Sequence, residues 1–87
     1  MKNSDVVRAW AYGNIASTKN LTTNGRDLYS YQLLIGFTSD DGERVVLDYT
    51  APGGHFFSVT TSQHVNLAKR EGSRTIMNPT VYEVATR

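Results

Sequence analysis

Between Thr50 and His55 the chain reads Ala51-Pro52-Gly53-Gly54, and neither a strand nor a helix runs through such a stretch. Pro52 has no N–H to donate, and paired glycines admit backbone angles closed to other residues. The break separates a segment rich in strand-forming residues from one that turns helical. No other feature constrains the fold as much.

Before the break, the clearest strand is Tyr29 to Phe37. There Tyr29, Tyr31, Leu33, Ile35 and Phe37 recur at every second position and are expected to face the core. Ser39-Asp40-Asp41-Gly42 gives a tight turn, with Gly42 suited to a positive φ. Glu43 to Thr50 returns as the partner, so Leu28 to Thr50 reads as a β-hairpin. Val6 to Tyr12 is β-branched and aromatic and reads as another strand, with Gly13 and Asn14 marking a bulge before Ile15. Its alternation places Arg8, Trp10 and Tyr12 on one face. Ser17 to Asp27 is polar, contains Asn24-Gly25, and reads as a loop or hairpin connection.

After the break, a short extended piece from His55 to Ser58 leads into a helix from about Thr60 to Glu71. Thr60 with Gln63 has capping-box spacing, and Ser58 or Thr61 is an alternative cap. Val65, Leu67 and Ala68 form a short apolar stripe. Lys69 and Arg70 suit the last turn, and Gly72 the C′ position. Thr75 to Thr86 is strand-like in composition, restricted by Pro79 to an edge, a strand start or a bulge. The sum is an α+β fold, a small antiparallel β-β-β-α-β sheet with one short helix after the central hairpin. The competing architecture is a small all-β OB-like barrel in which the helix is a crossover.

The 87 residues make one domain near the lower size limit for a single core, with 39% apolar residues. Absence of cysteine excludes a disulfide framework and thiolate metal sites, and fits a cytoplasmic setting. A thin core makes a homo-oligomer one way to bury more surface. The net charge of +1 argues against a strongly basic nucleic-acid binder. Its distribution is uneven. Lys2, Arg8, Lys19 and Arg26 face only Asp5 before Asp27, whereas the stretch from Asp27 to Gly53 is acidic and the remainder mildly basic. Met1 to Asp5 has no apolar stretch, so no signal peptide is expected, and no run is long enough for a membrane span.

The segment Thr60-Thr61-Ser62-Gln63-His64 reads as an anion cradle. Hydroxyls and first-turn N–H groups donate to phosphate oxygens there, and His64 adds a donor or a charge. The same residues also serve an ordinary capped helix. His55 and His64 lie nine residues apart with Asp48 the nearest acid, which is no compact zinc spacing. Neither a Gly-x-Ser-x-Gly elbow nor a Walker loop is present. Enzyme is the minority reading, and no metal or cofactor is expected. Trp10 and Tyr12 share a face with Arg8 and are candidates for base stacking, with core packing as the alternative.

Tyr31, Ile35-Gly36, Asp41-Gly42 and above all Phe57-Ser58-Val59-Thr60-Thr61-Ser62-Gln63-His64 resemble a recurring type of small phage-encoded protein of unknown function. The shared signature is aromatic-Ser-x-Thr-Thr-Ser-x-His, and the likeness spans Tyr29 to Arg70, about half the chain. It implies a viral or mobile-element origin and carries no activity with it. The strand arrangement is also similar to single-strand-binding proteins of filamentous phages, whose charge balance differs. The expected function is a non-enzymatic binding module acting in a host cytoplasm on nucleic acid or a host protein. For nucleic acid, the contacts would be Thr60, Thr61, Ser62, His64, Lys69, Arg70 and Arg74, with stacking on Trp10 or Tyr12. The alternatives are a protein-interaction module that inhibits a host defence protein or forms a homo-oligomer, and a small-ligand pocket or phosphoesterase at the same helix start.

Overall fold

The computed structural model describes residues 2–50, 57–72 and 75–85. The chain is α+β. Helix α1 (Asn3–Ala11) precedes strands β1 (Ile15–Ser17), β2 (Leu21–Asn24), β3 (Leu28–Ser30), β4 (Leu33–Thr38) and β5 (Arg44–Leu47). Helix α2 (Val59–Glu71), strand β6 (Thr75–Met77) and helix α3 (Pro79–Ala85) complete it. The strands form one sheet in sequence order. β1 to β5 are an antiparallel meander; β6 joins β5 in parallel, as the intervening α2 allows. The sheet is therefore mixed rather than wholly antiparallel. Among the described residues β1 and β6 each have a single neighbour, so the sheet is open and not a barrel.

The expected strand from Val6 to Tyr12 is a helix. Val6, Val7 and Trp10 stand at i, i+1 and i+4, one helical face, and all three are fully buried. Asp5, in the first turn, accepts the Lys2 backbone N–H at 2.9 Å. Gly13 is no bulge: it ends α1 with φ 76°, donating to the Trp10 carbonyl at 3.1 Å while Asn14 donates to Ala9 at 2.7 Å. Those two bonds make a Schellman cap, whose left-handed position favours glycine. The tail departs too. Only Thr75–Met77 is strand; Asn78 then accepts the Thr80 N–H at 2.8 Å, and Pro79 opens α3 at a position that needs no donor.

Alternation misleads most at Tyr29 to Phe37. Ser30 pairs with Leu33, so Tyr31 and Gln32 form a two-residue turn and the expected strand is two, β3 and β4. Tyr29 pairs with Leu34 and Leu28 with Gly36, which leaves Ile35 as the extra residue of a bulge. The bulge moves Gly36 to the helix-covered face and Phe37 to the other. There Phe37 meets Tyr82 of α3, ring centroids 5.0 Å apart. The β4–β5 hairpin agrees with expectation, with Gly42 at φ 86°.

The core lies between the sheet and the pair α1/α2: Val6, Val7, Trp10, Leu21, Leu28, Ile35, Val46, Val65 and Ala68. Trp10 is its centre. A Cβ on Gly36 would lie 3.0 Å from the indole, and one on Gly72 only 2.8 Å from it and from Val7. Gly72 is thus the C-cap of α2 at φ −114°, glycine for its size and not for a left-handed angle.

Candidate functional site

Helix α2 starts at Ser58, whose Oγ accepts the Thr61 N–H at 3.1 Å, so Ser58 and not Thr60 is the cap. Thr61 and His64, one turn apart, share the buried face of α2, which turns both toward β3. His64 Nδ1 lies 2.6 Å from Ser30 Oγ, and Ser30 Oγ lies 3.3 Å from Thr61 Oγ1. On the other side of the ring, Nε2 lies 3.4 Å from Asn3 Nδ2. Asn3 Oδ1 in turn accepts from Thr18 Oγ1 at 2.6 Å. This network joins α1, the β1–β2 turn, β3 and α2.

Its donors and acceptors favour one His64 tautomer. Thr18 Oγ1 accepts the N–H groups of Asn20 and Leu21 at 3.3 and 3.1 Å, which fills both lone pairs. Its own proton goes to Asn3 Oδ1 at 2.6 Å in preference to the Leu21 carbonyl at 3.4 Å, and the Asn3 amide NH2 then points to His64 Nε2. His64 accepts at Nε2 and donates from Nδ1 to Ser30. In that tautomer the imidazole donates to the serine hydroxyl and holds it in place. Burial pushes the His64 pKa down, which keeps the ring neutral.

The residues proposed for an anion cradle are thus largely engaged internally. Thr61 and His64 are buried, which removes them as contacts for a phosphate in solution. Ser62 Oγ donates to the Tyr49 carbonyl at 3.4 Å. Lys69 Nζ donates to Asp48 Oδ1 at 2.8 Å. Thr60 is half-buried; Arg70 is exposed, with Glu71 at 3.6 Å. Arg74, His55 and the paired glycines lie outside the described residues. Trp10 is no stacking platform, because it is fully buried and its Nε1 donates to the Arg26 carbonyl at 2.8 Å. Tyr12 is exposed. Among the described residues no three His, Asp or Glu side chains gather as metal ligands, and no helix is long and apolar enough to cross a membrane.

Sequence reasoning missed what lies beside this network. A groove of about 590 Å³ opens over it, lined among the described residues by Ser30, Tyr31, Gln32, Leu33 and Phe57. Tyr31 and Phe57 are 56% and 63% exposed, large apolar surface at one place. Tyr31 has φ 56°, the single non-glycine residue with positive φ among those described. The first position of a two-residue hairpin turn takes that angle at no steric cost only as glycine. The Tyr31 ring sits 6.2 Å from the His64 ring, tilted by 43°, so the network lies directly behind the groove. The period-2 pattern that suggested a continuous strand hid this turn.

No protein-family model matches the chain, and neither does a curated protein or a solved structure.

Proposed function

We propose that this chain is a non-enzymatic protein-interaction module, whose groove at Tyr31, Leu33 and Phe57 receives an apolar or aromatic side chain of a partner protein. The observation that carries this reading is Tyr31: a bulky residue held at φ 56°, where glycine fits better, with its ring turned to solvent beside Phe57. Strained positions of this kind persist where the surroundings over-determine them and concentrate at ligand-binding sites. Apolar lining with few polar groups is also what anchor pockets at protein interfaces present.

Titration with N-acetyl-tryptophanamide, followed by backbone amide chemical shifts, tests the reading. Shifts confined to Tyr31, Gln32, Leu33 and Phe57, and lost in a folded Tyr31→Gly variant, are expected. Shifts elsewhere, or unchanged by that substitution, would overturn it. Nucleic acid is the competing occupant, and of the residues that suggested it Arg70 and Tyr12 are exposed and Thr60, Ser62 and Lys69 half-buried. Affinity for single-stranded DNA or RNA that falls steeply with salt would restore that reading.

A further inference from the structure

Among the described residues strand β1 is an open edge, and the phase of its ladder says which of its backbone groups face outward. Thr18 N–H donates to the Leu21 carbonyl at 2.7 Å across the β1–β2 turn. In an antiparallel pair hydrogen-bonded positions alternate, so Ala16 with Thr23 is the next bonded pair. The neighbouring ladder agrees. Asn24 N–H donates to Asp27 at 3.3 Å and Tyr31 N–H to Asn20 at 2.8 Å, which commits Asn24, Thr22 and Asn20 to β3. Ile15, opposite Asn24, and Ser17, opposite Thr22, therefore turn both N–H and C=O away from β2 toward the free edge.

Edge strands in soluble proteins are commonly guarded by proline, lysine, an inward-pointing charge or a bulge. Ile15-Ala16-Ser17 has none of these. Instead Ile15 is 82% exposed, and Tyr12, at the end of α1 that leads into β1, is 79% exposed. They are the two most exposed large apolar residues among those described, and they sit three positions apart.

We propose that β1 pairs antiparallel with β1 of a second copy of this chain, about a twofold axis through Ala16, giving a homodimer with one continuous twelve-stranded sheet. The register follows from the outward groups. Ile15 lies opposite the partner's Ser17 and Ser17 opposite the partner's Ile15, each pair exchanging two backbone hydrogen bonds. Ala16 faces its own copy as a non-bonded pair, where Cα atoms approach to about 4.5 Å and a methyl side chain fits. A three-residue edge offers the same four backbone bonds to any extended peptide, too few to hold one without buried side chains. A second copy meets that need, since it brings Ile15 and Tyr12 from both sides, and the contact is self-complementary as a twofold interface requires.

The register makes the test sharp, because the chain has no cysteine. Ala16→Cys should form a covalent dimer under mild oxidation, the two Cα atoms falling within disulfide range. Thr22→Cys, on β2, should not. In analytical ultracentrifugation the native chain should show a dimer, weakened at least about tenfold by Ile15→Lys. Ser17→Pro should weaken it likewise, since the N–H it deletes is unused in the monomer. Unchanged circular dichroism would show that both variants still fold. A native chain that stays monomeric at millimolar concentration overturns the proposal, as does a dimer indifferent to Ile15→Lys. Failure of Ala16→Cys to cross-link overturns the register.

Discussion

Two aromatic residues, Trp10 and Tyr31, are accommodated in opposite ways. Around Trp10 the backbone withdraws: Gly36 in β4 and Gly72, the C-cap of α2, leave out the Cβ atoms that would press on the indole. At Tyr31 the chain does the reverse and places a large side chain where the backbone angle favours glycine. One ring is fully buried and its N–H is satisfied; the other is mostly exposed at the lip of a groove. Glycine serves packing at the first site, and strain serves exposure at the second. The contrast separates a residue that builds the core from one left at the surface.

The strongest way to break that contrast is at the core. Trp10→Ala should cost about 3–5 kcal/mol, which approaches the whole stability of a small domain. Thermal unfolding should move down by tens of degrees, or the variant should not fold cooperatively. Gly72→Ala is subtler, because alanine favours helix over glycine by about 1 kcal/mol. Overlap wins here: the new Cβ would stand 2.8 Å from both Trp10 and Val7, side chains that have no free space to enter. A net loss of about 1–3 kcal/mol is expected from denaturant titration. A stabilised Gly72→Ala would mean that Trp10 is less confined than the two glycines imply.

The polar network between the two regions sets the next effect. His64→Ala would take one hydrogen bond each from buried Ser30, which keeps Thr61, and half-buried Asn3, which keeps Thr18, at about 1–3 kcal/mol in all. The native imidazole also titrates in a definite direction. Desolvation holds its folded pKa below the ordinary value of about 6.5, so the unfolded chain binds more protons in that range. The stabilising contribution is complete above about pH 6.5 and is lost as pH falls from there through the lower folded value. Its hydrogen-bond and ring neighbours, Asn3, Ser30 and Tyr31, include no carboxylate to reverse the sign. Denaturant midpoints between pH 7 and 5 should therefore fall more steeply for the native chain than for His64→Gln.

How much of this was legible follows from how local each signal is. The β4–β5 hairpin was readable because Ser39 to Gly42 carries its turn in four adjacent residues. Helix α2 was readable from its hydroxyl-rich start and from Lys69 and Arg70 near its end. Helix α1 was missed because Val6, Val7 and Trp10 are strand-type residues, although their i, i+1, i+4 spacing and the following Gly13 both signal a helix. Period-2 reasoning failed between Tyr29 and Phe37 for two reasons that leave no compositional trace. A turn occupies Tyr31-Gln32 and a bulge absorbs Ile35. His64 was singled out, but its partners Asn3 and Ser30 lie 61 and 34 positions away, so no spacing rule connects them. The groove is built on the Tyr31-Gln32 turn, so it was hidden with it.

The smallest expected effect is also the one that addresses Tyr31 directly. Replacing Tyr31 by glycine relieves a left-handed angle that costs an L-residue about 1–2 kcal/mol. It also loosens the unfolded chain by about 0.5–1 kcal/mol and removes the ring contact with His64, of similar size. Those terms nearly cancel, so Tyr31→Gly should shift stability by less than about 1 kcal/mol. Tyr31→Ala loses the same ring contact yet keeps the strained angle, so it should be less stable than Tyr31→Gly by about 1 kcal/mol. That order, glycine above alanine, is the signature of a backbone that prefers glycine. If alanine proves the better replacement, the turn imposes no strain, and Tyr31 is an ordinary hairpin residue whose exposure carries no argument for contact.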